Sequence, residues 1–202
     1  MKRFVIFGDS YSTYLGKVPS GYRCYYGIKR DDGAPAVSSV EKTWWGRLME
    51  YTGAELVLNE SFSGSSVCKT GYPDYDETTS FVSRATPYFR KGFFAEQDVD
   101  TALVFGGTND AWSESPLGEI DGDDLYQVLP AFRFLLEKLK EQVGRVVVLI
   151  NSEFPEDLER GIVQLCKTLD IEYVVLQNID KVSRHPTERG MEQIFEQVRA
   201  LF

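Results

Sequence analysis

Five short apolar runs, at positions 5–7, 54–58, 102–105, 146–150 and 171–176, alternate along the chain with stretches whose apolar residues recur at helical spacing. A run that is apolar at consecutive positions has no polar face to offer water, so as a strand it has to be covered on both sides. The runs at 5–7, 102–105 and 146–150 are of this kind. Between them, Val40, Trp44, Leu48 and Tyr51 mark a helix behind a Ser38/Glu41 capping box. Leu125, Val128, Leu129, Phe132, Leu135, Leu136, Leu139 and Val143 mark a longer one, which Pro130 is expected to kink or split. Leu158, Ile162, Leu165, Cys166 and Leu169 follow Pro155, and Met191, Ile194, Phe195, Val198 and Leu201 close the chain as a last helix. Alternating strands and helices predict an α/β fold, an open parallel sheet with helices on both faces.

At 202 residues and 43% hydrophobic composition the chain can bury a sizeable core, and no linker or repeat divides it, so residues 1–202 are expected to form one domain. Two segments break the rhythm, residues 11–36 and 61–98, and are expected to be long functional loops. With 22 basic against 31 acidic residues the net charge is −9, which argues against a nucleic-acid partner. The apolar run behind Met1-Lys2-Arg3 is too short for a signal-peptide core or a membrane span, so a cytoplasmic protein is expected. Cys24, Cys68 and Cys166 include no C-x-x-C pair and point neither to a disulfide framework nor to a zinc site; they read as reduced thiols, Cys166 in the core. No metal or other cofactor is expected.

Polar clusters fall behind the strands. Ser10 follows the first run, Asn59 and Ser63-Gly64-Ser65 the second, Gly106-Gly107-Thr108-Asn109-Asp110 the third, and His185, the sole histidine, lies beyond the fifth. In a parallel sheet these positions share the carboxyl edge, where ligand crevices of open α/β sheets lie. A serine hydroxyl needs an adjacent base, and imidazole is the side chain suited to that task near neutral pH. Taken singly, each feature has a plainer reading: Ser10 as a turn or cap residue, Gly64 as a loop glycine, residues 106–110 as a turn, His185-Pro186 as a helix entry. Trp44-Trp45 reads as core, with Trp45 lining a pocket as the alternative. Arg84 reads as a surface or loop-anchoring residue, with binding of an anionic substrate as the alternative. The acidic residues of 119–124 read as a solvated helix entry.

Taken together, the Gly8-Asp9-Ser10-Tyr11-Ser12 block, Gly64 five residues after Asn59, the Gly106-to-Asp110 block and His185-Pro186 resemble the four ordered blocks of the SGNH/GDSL hydrolases, across nearly the whole chain. The resemblance implies a flavodoxin-like three-layer α/β/α sandwich with a five-stranded parallel sheet of order 2-1-3-4-5, and hydrolysis of carboxylic esters without a metal. It implies Ser10 as nucleophile, His185 as base, and the backbone N–H groups of Ser10 and Gly64 with the Asn109 side chain as oxyanion hole. The family's usual orienting acid lies three residues before the histidine, where this chain has Val182. Asp180 or a main-chain carbonyl is favoured for that task over Glu153. The expected substrate is a small acyl ester, a small molecule or a glycan. The alternative classes are a nucleotide- or phosphate-binding α/β domain and a degenerate hydrolase that binds carbohydrate. Tyr14, Tyr22, Tyr25, Tyr26 and Tyr72 would suit sugar stacking, acyl packing or a subunit interface.

Overall fold

The computed structural model describes residues 1–29 and 33–202; residues 30–32, within the first expected loop, lie outside the described residues. Five strands, β1 (Arg3–Gly8), β2 (Glu55–Ser61), β3 (Thr101–Phe105), β4 (Arg145–Ile150) and β5 (Glu172–Val175), form a parallel sheet in the order β2-β1-β3-β4-β5. Because side chains alternate across a strand, Phe4, Ile6, Leu103, Phe105, Val147 and Leu149 enter one core layer, and Val5, Phe7, Ala102, Val104, Val146 and Val148 enter the other. The first layer is closed by α1 (Trp44–Thr52) and by the C-terminal helix through Met191, Ile194 and Val198. The second layer is closed by α2 (Phe81–Lys91) and the short α3 (Phe93–Glu96), and further along the chain by two longer helices. After α4 (Thr108–Trp112) these are α5 (Val128–Lys140) and α6 (Glu156–Thr168). A two-stranded antiparallel hairpin, β6 (Lys181–Val182) and β7 (His185–Pro186), then leads into α7 (Glu188–Val198).

Several sequence expectations shift in detail. Residues 61–98 are not a loop throughout, since α2 and α3 lie there and Phe81, Val82, Ala85 and Phe94 are buried. Pro130 does not kink α5: it is the third helical residue, where a missing N–H costs nothing. The cap of α1 is Thr43, whose Oγ1 accepts from the Gly46 N–H at 2.9 Å, and residues 40–42 form a separate 3₁₀ turn. Ser38 is not the cap of α1; its N–H and hydroxyl both donate to Glu188 on α7.

The register sets the site. Gly8 pairs with Ser61 on one side and Phe105 on the other, and Phe105 with Leu149, so four strands end in line. A Cβ on Gly8 would fall 2.5 Å from the Ser61 hydroxyl and 2.7 Å from Ser12 Cβ, so a side chain there would collide with the turn that carries Ser10.

Candidate active site

Ser10 sits on a tight turn directly off β1, only 2% exposed. The turn is held from within: Asp9 Oδ1 accepts from the Tyr11 N–H at 2.9 Å, the Ser12 N–H donates to the Asp9 carbonyl, and the Thr13 hydroxyl donates to the Ser10 carbonyl. It is held from behind by the Trp45 indole N–H and the Asn59 amide, which both donate to the Ser12 carbonyl, at 3.0 and 2.8 Å. Trp45 is therefore a buried brace of the serine turn, in keeping with its reading as core.

The hairpin β6–β7 delivers His185 to this turn. Its two linking residues, Ser183 and Arg184, have φ of 48° and 66°, the left-handed pair of a two-residue hairpin turn, at positions where side chains other than glycine and asparagine are uncommon. Nε2 of His185 lies 3.0 Å from Ser10 Oγ, and Nδ1 lies 3.0 Å from the Ser183 carbonyl. A carbonyl can only accept, so in this contact Nδ1 carries the proton and Nε2 presents its lone pair to the serine hydroxyl. The Tyr25 ring stacks on the imidazole at 3.6 Å and 5°, while Tyr11 and Trp112 meet it edge-on at 5.5 and 5.8 Å. Tyr26 donates to the Pro186 carbonyl at 2.7 Å, and the Tyr11 hydroxyl donates to the Arg184 carbonyl, so both tyrosines tie the hairpin to the serine side of the site.

Asp180 is not brought to the ring. Its carboxylate accepts from the Thr187 hydroxyl and its carbonyl from the Thr187 N–H, which turns it toward the start of α7. Glu153 is engaged elsewhere as well, 3.1 Å from the Lys181 ammonium, which also donates to Asn151 Oδ1 at 2.9 Å. Lys181 thereby fastens the hairpin to the end of β4, and its burial lowers its pKa against the pull of Glu153.

Gly64 and Asn109 follow the ends of β2 and β3, and Arg84 links the loop of Gly64 to the Gly8 carbonyl at the end of β1. Gly64 has φ +88°, and a Cβ there would lie 2.0 Å from Arg23 Nη2, so both backbone and neighbour demand glycine. Asn109 donates from Nδ2 to the Ser65 carbonyl at 3.0 Å and accepts from the Tyr72 hydroxyl at 3.2 Å, which leaves one amide hydrogen unspent. Among the described residues no acceptor takes the N–H of Ser10 or Gly64.

Arg84 is not a surface residue. Its guanidinium is buried and donates to Glu60, to the Gly8 carbonyl and to Ser65 Oγ, joining the ends of β1 and β2 to the loop that carries Gly64. Tyr22 and Tyr88 supply the remaining donors to the Glu60 carboxylate. Asp110, fully buried, accepts from the Val67 and Cys68 N–H groups; burial raises its pKa.

The family model for GDSL-like lipases and acylhydrolases matches residues 2–202. The chain belongs to this GDSL-like lipase/acylhydrolase family, whose chemistry is ester hydrolysis. A GDSL-like chain of this sequence aligns over its whole length with two solved structures from Bacteroides, each described as a GDSL-like lipase. That from Bacteroides uniformis is 38% identical, with a TM-score of 0.87 and 95% of its own chain covered. That from Bacteroides ovatus is 33% identical, with a TM-score of 0.86 and 97% covered. Axe2, an acetylxylan esterase from Geobacillus stearothermophilus, shares the fold at 16% identity, with a TM-score of 0.58 over 98% of this chain and 93% of its own. No curated protein matches the chain. In this GDSL-like fold no helix among the described residues is long and apolar enough to cross a membrane.

Proposed function

We propose that the protein hydrolyses small acyl esters, acetyl groups on carbohydrate among them, through an acyl-Ser10 intermediate. The observation that carries this is the 3.0 Å contact between His185 Nε2 and Ser10 Oγ, with Nδ1 held on a carbonyl so that Nε2 is the basic nitrogen. His185 takes the hydroxyl proton as Oγ attacks the ester carbonyl. Negative charge then develops on the carbonyl oxygen, where the unspent N–H groups of Ser10 and Gly64 and the spare Asn109 amide hydrogen can receive it. Collapse breaks the bond to the alcohol, which leaves with the proton returned by His185. Water, deprotonated by the same nitrogen, releases the acid and restores Ser10. Main-chain and aromatic contacts, Ser183 below and Tyr25 on the face, hold the ring, and Val182 stands at the family's usual acid position.

Hydrolysis of p-nitrophenyl acetate and butyrate tests the proposal, with folding checked by circular dichroism. Ser10→Ala and His185→Ala are expected to abolish turnover, and Asn109→Ala to lower kcat by about 10²- to 10³-fold. Wild-type rates in all three folded variants, or no turnover by the wild type, would overturn it.

A further inference from the structure

Beside the oxyanion donors lies a cleft of about 310 Å³ bordered by Arg23, Phe62, Gly64, Tyr72, Asp74 and Tyr75. Arg23 enters it from the segment after Ser10 and is fixed at its base. Its Nε donates to the Ser63 carbonyl at 2.7 Å, its own carbonyl accepts from the Ser63 N–H at 2.8 Å, and its guanidinium lies 5.7 Å from the Phe62 ring centre. Its Nη2 occupies the space that a side chain on Gly64 would fill. Nη1 and Nη2 have no acceptor among the described residues, so a guanidinium already held in one orientation presents two open donors next to the oxyanion position. A fork of that shape matches a carboxylate.

The surroundings support the same ligand. Tyr72 bridges the cleft to the catalytic donors through its bond to Asn109. Burial, with the Asp9 and Asp110 carboxylates, raises the Tyr72 pKa while the charges of Arg184 and Arg23 pull it back, so Arg23 is one of two cations whose charge reaches this hydroxyl. Of the two carboxylates at the rim, Asp76 is turned onto Thr78, whose N–H and hydroxyl donate to it at 3.0 and 2.6 Å. Asp74 remains as an acceptor for hydroxyl groups, and the tyrosine and phenylalanine rings offer apolar faces of the kind that sugar rings pack against.

We infer that Arg23 is a specificity-determining residue that binds the carboxylate of an acidic sugar, so that the preferred substrates are acyl esters of uronic acids. The inference rests on the hydrolase reading for the chemistry at Ser10, and the binding of the acid does not.

The test is calorimetric binding of methyl glucuronoside and of neutral methyl glucoside to the wild type, Arg23→Gln and Arg23→Lys. It is joined by kcat/KM on the mono-O-acetyl derivatives of both sugars. The wild type should prefer the acid by about 10- to 100-fold, the preference should collapse to within twofold in Arg23→Gln, and Arg23→Lys, which keeps the charge without the fork, should retain part of it. In the wild type the preference should also weaken as salt rises from low to high ionic strength. Equal affinity of the wild type for both sugars, or a preference that survives in folded Arg23→Gln, would overturn the inference. Turnover of p-nitrophenyl acetate separates the two readings: selective acid binding without any hydrolysis refutes the role of Ser10 and sustains that of Arg23, and hydrolysis without selectivity does the reverse.

Discussion

Asp9, the residue before Ser10, should make the stability of this protein fall as pH rises from about 4 to about 7. Its side chain is fully buried, Oδ1 accepts a single N–H from Tyr11, and Oδ2 finds no partner. Burial raises its carboxyl from 3.8 to about 7, against the pull of the Tyr11 N–H and the nearby Thr108 hydroxyl. A carboxyl with a raised folded pKa holds more protons in the folded than in the unfolded chain between those two values. Its contribution is therefore fully present below pH 3.8 and is lost as pH rises through about 7. The gap between 3.8 and about 7 corresponds to about 4 kcal/mol. Asp9→Asn keeps the shape and cannot ionise. Urea unfolding of both proteins, followed by tryptophan fluorescence, should show the wild type losing about 3 kcal/mol relative to Asp9→Asn between about pH 4.5 and 7.5. Asp110, raised in the same direction, titrates in both proteins, so only its charge coupling to Asp9 differs between them. Stability curves that run parallel across that interval would show that Asp9 ionises in the folded state as easily as in the unfolded one, and the reasoning from burial would be wrong.

Arg84→Met strands the Glu60 carboxylate, itself 0% exposed, with two tyrosine hydroxyls, and should cost about 3–5 kcal/mol in urea unfolding. The double variant Glu60→Leu/Arg84→Met should recover most of it, and equal losses in both would contradict the pairing. Lys181→Met removes the ammonium that ties the hairpin to Asn151 and Glu153; because Glu153 is half exposed and regains water, the stability loss should be only about 1–2 kcal/mol. Amide hydrogen exchange across residues 181–187 should nonetheless speed up, and exchange as slow as in the wild type would refute the anchoring role. Gly64→Ala imposes a Cβ at φ +88° against Arg23, for a loss of about 1–2 kcal/mol, or roughly 2–8 °C in Tm. An unchanged Tm by calorimetry would mean the backbone there relaxes freely.

What could be read from sequence was what physics writes into runs and stripes. The strands were legible because both faces of a central parallel strand are apolar, and α5, α6 and α7 because their buried faces repeat at helical spacing. The helix α2 was not, because its buried face carries Arg84 where a charged residue reads as solvated, and Pro87 sits within it. The hairpin was not, because Ser183-Arg184 lacks the Asn-Gly signature that announces a left-handed turn. Ser10, His185, Gly64 and Asn109 could be gathered at one edge from their places behind the strands. The partner of Nδ1 could not be singled out, since a main-chain carbonyl has no letter in the sequence, and the two nearby acids that do, Asp180 and Glu153, are occupied by Thr187 and Lys181. Arg23 was missed for a related reason: nothing local distinguishes a pinned arginine from a mobile one.

Because the sheet keeps the two core layers apart, the groups around Ser10 report to different halves of the molecule. The imidazole hangs from a hairpin that runs into α7, which packs with α1 on one face. The loop carrying Gly64 is braced by Arg84 from α2 on the other. Loosening the α1–α7 layer should therefore degrade proton transfer before it degrades stabilisation of the oxyanion, and loosening the α2–α5 layer should do the opposite. Distant core variants would then be sortable by kinetic symptom alone, as slow proton movers or as poor charge binders, according to the side of the sheet on which they fall.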